Sequence, residues 1–520
     1  MVNSWRKLAQ SMVVFMATFF CYTGIYEGPA YAASFEETQD LRLKLEDFAT
    51  TLQSDGVPPD ETLSGLLKAA DLPSWDGATG LDSSAGKRSA SVQLVQKGRA
   101  SVSTINLRIA LAILSQSYGG RDNLVAETAE RTRGNDALSF RGGTVTLEDI
   151  LDGLVLKELQ PQQTINDGLI RAPVILWEDT TLVLGPEDHL ALSRADGAFL
   201  ISFGRVEIDG SVIEGTDEEN ATSPEFRPFV TIAGGGSASV RNATLKNLGF
   251  GNTAKFSGLS VVTNRLIRST GRSALIDSHI ENLVTVAFAG TDAPTVTGNQ
   301  FYNMRNNALL MEQSPYALIA SNLFYGTSPT NAIRVLAGSS DAKVLNNVIL
   351  EGDRAGILVR QDSRRVQVIG NLIWSRYGGS IKLLEAECGF VHNNVIAESR
   401  QKSIEVRYSA DVTISENVVV GGRSAAIWLS EQPGGAKTYV MRNFLHSNGS
   451  GIATANGGTV YLVDNDLTGQ LPKLIAGDIT TQAVTMVKNM TNPVPIAVNS
   501  ASTRIGLELV QPDCGLGATQ

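Results

Sequence analysis

Between residues 299 and 465, short alternating runs of apolar and polar residues return on a fixed beat. The beat is marked by Asn299, Asn322, Asn347, Asn371, Asn394, Asn417, Asn443 and Asn465, at steps of 23, 25, 24, 23, 23, 26 and 22 residues. Nearly every asparagine is followed by an apolar pair or triplet, as in Asn371-Leu372-Ile373 and Asn394-Val395-Ile396. About fourteen residues before each lies an alternating run such as Gly356-Ile357-Leu358-Val359-Arg360, Ser380-Ile381-Lys382-Leu383-Leu384 or Ser403-Ile404-Glu405-Val406-Arg407. Strand side chains alternate between two faces, so these runs are half-buried strands. A repeat in the low twenties built of short strands and turns predicts a solenoid. The fold class is therefore all-β: a parallel β-helix with about 23 residues per rung. The asparagines are expected in inward turns, each amide stacking on the next in a ladder.

Outside that stretch the pattern changes. Residues 35–48 have helical spacing, residues 60–67 suggest a second short helix, and residues 146–159 a third. Residues 103–117 fit either a helix or an apolar strand, and 73–93 read as a loop. This mixed segment, 33–160, is expected to cap the N-terminal end of the solenoid, whose bare end would expose unpaired strand edges. The β pattern begins near Gly168 and fills 161–500, with residues 483–487 as a last rung. Residues 501–520 are expected to be an irregular tail.

Residues 1–32 form a targeting segment. Arg6 and Lys7 precede the apolar run 12–22, and Ala30-Tyr31-Ala32 makes a small-x-small cleavage site. The expected location is the periplasm, with no membrane span in the mature chain. Cys21 lies in the targeting segment, leaving Cys388 and Cys514, so no structural disulfide is expected. Fifty glycines and an 18% charged fraction suit a turn-rich β architecture. A net charge of −10 argues against nucleic acid as a bulk partner but leaves room for a basic groove.

Several segments carry a resemblance. They are Leu192-Ser193-Arg194-Ala195-Asp196-Gly197-Ala198-Phe199-Leu200, Glu225-Phe226-Arg227-Pro228-Phe229, Asn247-Leu248-Gly249-Phe250-Gly251-Asn252, and Ser403-Ile404-Glu405-Val406-Arg407 with Ile414-Ser415-Glu416-Asn417. In this order, from about Gly142 to Thr468, the chain resembles the periplasmic mannuronan C5-epimerases of alginate-secreting bacteria. The resemblance implies a right-handed parallel β-helix and conversion of mannuronate to guluronate within a polymer. The family's catalytic motif, Asp-Pro-His-Asp, meets Leu310-Met311-Glu312-Gln313 here, so Glu312 stands at the histidine position. The family's carboxylate-neutralising arginine falls near Ala337. The scaffold carries over; the family's own catalytic residues do not.

The groove is then read from the rungs themselves. With the first apolar strand residue pointing inward, the next but one points inward too, and the residues between face out. One outward row runs Leu310, Arg334, Leu358, Lys382, Glu405, Trp428, Ala453; the other runs Glu312, Leu336, Arg360, Leu384, Arg407, Ser430, Ala455. Lys382 should sit beside Glu405, and Arg360 about 10 Å from Arg407. Arginines grip carboxylates bidentately, and tryptophan offers a flat face to a sugar. The candidate catalytic residues are Lys382 as base, Arg360 or Arg407 as carboxylate neutraliser, and Glu312 or Tyr408 as a second proton-transfer group. Arg334, Glu385, Glu405 and Trp428 are candidate substrate-binding residues. The same charges also fit a solvated cross-strand face, and Trp428 fits packing under the loop 431–437. His189, His279, His392 and His446 show no metal-ligand spacing, and no cofactor is expected.

The expected partner is an anionic polysaccharide, with an exopolysaccharide synthesis and secretion complex as a further one. The expected function is modification of a uronate polymer, C5-epimerase-like. The alternatives are a lyase or hydrolase on the same scaffold, or a non-catalytic binding and export component.

Overall fold

A computed structural model of the chain describes residues 35–57, 62–74, 98–130, 135–160, 168–264, 266–267, 271–490, 494–508 and 514. The targeting segment lies outside the described residues. Three sheets of 15, 12 and 15 strands, parallel except for antiparallel strands added at the ends of the two larger ones, wind round one apolar core, one strand of each sheet per rung. The first is called the groove sheet. Its strands include Leu309–Glu312, Ile333–Leu336, Ile357–Arg360, Ile381–Leu384, Ile404–Arg407 and Ala425–Ser430. Their registers follow the repeat: Ile357 pairs with Ile381, Ile381 with Ile404, and Ile404 with Ile427. Those isoleucines and the valines or leucines two residues on are fully buried.

The asparagines form the ladder. Each Nδ2 from Asn299 to Asn443 donates to Oδ1 of the next asparagine at 2.8–2.9 Å. Each backbone N–H of the same residues donates to that same oxygen at 2.9–3.1 Å. The turn works because the preceding residue is left-handed in every rung, from Gly298 at φ 71° to Asp464 at 48°. The amides are buried yet saturated, which is the condition for keeping a polar column inside an apolar core.

The described residues of 33–160 are used in three places; residues 75–93 of the expected loop lie outside the described residues. Helix α1 (Phe35–Asp55) lies along the flank of the 12-stranded sheet, burying Leu41, Leu45, Phe48 and Leu52 against Leu350, Trp374 and Val395. Helix α2 (Leu63–Ala69), started by the Thr62 side chain, joins that cluster. Residues 101–117 use both readings of their pattern: a strand, Ser101–Asn106, then helix α3 (Leu107–Ser117). Helix α4 (Asn123–Ala129) follows. Helix α5 (Leu147–Leu156), closed by a Thr146–Asp149 capping box, puts Ile150 and Leu154 into the end of the main core. The solenoid starts earlier than its clear β pattern, because Asp136–Arg141 and Thr144–Val145 already belong to two of the sheets.

Three expectations fail at the other end. Residues 483–487 are not a rung but part of helix α6 (Ala483–Met490). The tail is not wholly irregular: Thr503–Ile505 pairs antiparallel with Ile496–Val498. Cys388 and Cys514, 126 positions apart in sequence, are joined by a disulfide, with Cα atoms 5.7 Å apart. Sequence distance says little about spatial distance in a coil that returns to one flank on every rung.

Candidate functional site

The groove sheet is covered over its first half and open over its second. Helices α3 and α4 lie on its outer face, packing Leu107, Leu111 and Leu114 against Ile175, Ile201, Ala233, Val262 and Ala287. Phe229 sits in the middle, 4.5 Å from Phe199 and 4.8 Å from Phe256 between ring centroids. Outward positions here are small or apolar because a helix sits on them. The cover ends at Leu310, which is only partly buried against it.

The turn between α3 and α4 forms the wall where the cover stops. Lys255, fully buried, fixes it: Nζ donates to Asn123 Oδ1 at 2.7 Å and to Ser115 Oγ and the Gly120 carbonyl at 3.3 Å. Burial pushes the Lys255 ammonium below its usual range, with Asp122 opposing. Tyr118, on this turn, donates from its hydroxyl to Glu312 Oε2 at 3.0 Å. Burial first, and the Glu312 charge second, push the Tyr118 phenol far above its usual range, so it stays protonated. Sequence reasoning missed Tyr118, which lies outside the repeat.

Glu312, Tyr118 and Arg334 line a cleft of about 450 Å³ with Gly119, Thr253 and Leu310. A second cleft of about 350 Å³, with Gln116, Asn264 and Gln313, lies on the other side of Tyr118 and Glu312. Leu310 pairs with Arg334 and Glu312 with Leu336, so the Glu312 and Arg334 positions are diagonal on neighbouring strands. Burial lowers the Arg334 guanidinium; Glu312 opposes this and Arg360 adds to it. Arg334 Nε is buried without a hydrogen bond.

Beyond the cleft the floor alternates cation and leucine. One row runs Arg334, Leu358, Lys382, Glu405, Trp428. In the other, Arg360, Leu384, Arg407 and Ser430 are neighbours in turn. Lys382 does lie beside Glu405, with Nζ 3.0 Å from Oε2, and Lys402 Nζ is 4.0 Å from Oε1. Buried Glu405 is thus set between two lysines, and Lys402 also lies over the half-buried Trp428 ring at 5.4 Å. Arg407 donates to the Tyr408 hydroxyl at 3.2 Å, and both are exposed. Gln313, Ala337, Gln361, Glu385, Tyr408 and Glu431 end their strands in the left-handed region, φ 50–59°, and form one edge of the floor.

The candidate residues therefore fall into two groups. Glu312 and Arg334 are together at the cleft. Lys382, Glu405, Arg407, Tyr408 and Trp428 are together farther along, with Arg360 between and Glu385 on the edge. Glu312 and Lys382 are three strands apart, about 14 Å, so they do not meet on one sugar carbon. Glu312 and Glu405 are four strands apart, about 19 Å, beyond the roughly 5–9 Å span of a glycosidase pair. The four histidines lie on strands of the other two sheets. Among the described residues no three His, Cys, Asp or Glu side chains gather as a metal site.

Comparison with known proteins agrees with this architecture. Mannuronan C5-epimerases of Pseudomonas putida and Pseudomonas aeruginosa are 24% and 26% identical over 330 and 335 residues, 60% of this chain in each case. The chain spans 63% and 60% of those relatives' lengths, under two thirds. The crystal structure of the periplasmic alginate epimerase AlgG superposes with a TM-score of 0.59 at 20% identity, covering 78% of this chain and 98% of that one. At that identity the likeness speaks for the fold. The family model described as right handed beta helix region matches residues 191–373, 284–438 and 353–467, overlapping segments that together take in more than half of the chain. With its three parallel sheets and unbroken asparagine ladder, the chain belongs to the right-handed β-helix family.

Proposed function

We propose that this protein modifies an anionic, uronate-type polysaccharide at C5 of its sugar units. The observation that carries this reading is the contact of Glu312 with Tyr118 beside Arg334, at the head of a cation-lined groove. A proton on C5 becomes acidic only when the adjoining carboxylate is neutralised, because charge develops on it as the proton leaves. Arg334 neutralises it. Glu312, on the floor and already accepting the Tyr118 hydrogen bond, takes the C5 proton. A sugar entering the cleft breaks the Tyr118–Glu312 hydrogen bond and lies between floor and wall. The Tyr118 phenol then faces the opposite side of C5 and returns a proton there. One C–H bond breaks, one forms, and the configuration inverts; Glu312 is left protonated and Tyr118 as the phenolate, and proton exchange with solvent after the sugar leaves restores both. If the C4 substituent leaves instead, the same start gives a lyase.

Arg360, Lys382 and Arg407 hold the carboxylates of neighbouring units. Leu358, Leu384 and Trp428 meet their apolar faces, and Glu405 orients Lys382 and Lys402. Tyr408 and Glu385 contribute hydroxyl and carboxylate contacts at the edge. The names of the relatives, mannuronan C5-epimerases, support the reaction class. The targeting segment and the periplasmic AlgG neighbour support work in the periplasm, beside an exopolysaccharide synthesis and secretion complex.

One observation favours a second reading, a non-catalytic binding component: Glu312 and Lys382 both already have partners. Incubating the purified protein with polymannuronate and following the polymer by NMR separates the two. The proposal expects guluronate signals from the wild type and none from Glu312→Gln. Polymer that binds without changing composition would establish the second reading.

A further inference from the structure

The floor that binds the chain is closed at one end. Along the groove sheet, Thr231, Ser260 and Ala287 occupy successive outward positions, and all are fully buried beneath the helical cover. Four strands after Ala287, Lys382 is half-buried, and Arg360 and Arg407 are exposed. The change comes at a single place, where Tyr118 and Gly119 rise over Leu310 and Glu312. This wall is not a loose loop. Lys255, fully buried, ties it by three hydrogen bonds, and α3 packs Leu107, Leu111 and Leu114 behind it. At the other end, among the described residues, no helix lies on the open floor. Helix α6 packs instead against Ile496–Val498, Thr503–Ile505 and the turn Asp478–Gln482. The open floor from Leu309–Glu312 to Ala425–Ser430 spans five strand spacings, about 24 Å.

A groove open at both ends lets a polymer lie across it anywhere along its length. A groove with one wall favours a chain that stops at the wall. We infer that the cleft at Glu312, Tyr118 and Arg334 receives a terminus of the uronate chain. The units behind it run out over Arg360, Lys382 and Arg407, and modification starts from that terminus. This rests on the reading of the groove as a polyuronate site. It adds that the site recognises a chain end, which neither the charge of the groove nor the chemistry at C5 requires.

The test uses mannuronate oligomers long enough to fill the groove, carrying a bulky fluorophore on either the reducing or the non-reducing terminus. Binding is measured with the full mature protein. A tag on one terminus is expected to weaken binding by about tenfold or more, while the other is tolerated. Binding capacity per mass of polymer is expected to fall as chain length rises, because it counts ends. Tyr118→Ala, which lowers the wall, is expected to restore tolerance of the excluded tag. Equal tolerance of both tags, with capacity following total sugar mass, overturns the inference and leaves the polyuronate reading standing. Absence of binding to every oligomer overturns both.

Discussion

The hydroxyl of Tyr118 donates to Glu312 Oε2 at 3.0 Å across 194 positions of sequence. One residue comes from the helical cover, the other from the eighth strand of the sheet it covers, counting from the edge strand Ser101–Asn106. That contact joins two parts of the chain with different logic: a repeating floor and a single, non-repeating wall.

If Glu312 and Tyr118 act as one proton-transfer unit, their variants will not add. Glu312→Gln is expected to lower turnover about 10²–10⁴-fold, and Tyr118→Phe about 10²-fold. The double variant is expected to be little worse than Glu312→Gln alone. Polymer affinity should change little in all three. Full activity in Tyr118→Phe would remove the tyrosine from the chemistry.

The cations farther along the floor are expected to act on binding. Arg360→Ala and Arg407→Ala should each weaken polymer affinity about two- to fivefold, because both side chains are exposed and screened. The losses should shrink as salt rises. Isothermal titration at two ionic strengths reads both effects. A loss confined to kcat would place these arginines in the chemistry instead.

The ladder is a stability device. The Asn371 side chain donates to Asn394, Val344 and Ile369 and accepts from the Asn347 backbone and side chain. Asn371→Ala removes these bonds and leaves polar groups without partners inside the core. The expected cost is about 2–4 kcal/mol by denaturant unfolding. A cost below about 0.5 kcal/mol would mean the ladder can be interrupted freely.

Much of this was readable in advance, for a physical reason. In a solenoid the same few contacts recur, so the 23-residue beat carries register as well as fold, and it alone sets Lys382 beside Glu405. The wall could not be read that way. Tyr118 sits in a turn with no repeat to index it, and nothing local says which rung it reaches. Residues 483–487 failed differently: in so short an apolar run, spacings of two and of 3.6 are hard to tell apart, and the helix won at the end of the coil. The Cys388–Cys514 bridge is not legible in the sequence, because a separation of 126 positions does not reveal that the two cysteines lie side by side.

One histidine should report on acid stability. Burial lowers the His392 imidazole; Glu416 opposes this, Arg442 adds to it, and Ser415 Oγ lies 3.0 Å from Nδ1. The folded state therefore prefers neutral His392, and the unfolded state takes the proton first. Stability is full above the unfolded value of about 6.5 and is lost as pH falls through it, levelling off below the folded value. His392→Gln should flatten the Tm profile between pH 7.5 and 5 by about 1–2 °C. An unchanged slope would show that other groups set it.

The most direct test of the central claim is C5 proton exchange. Polymannuronate is incubated with the protein in deuterated buffer and followed by NMR. The account predicts deuterium at C5 together with guluronate signals, both lost in Glu312→Gln. Polymer that binds the wild type yet keeps its C5 protons would contradict it.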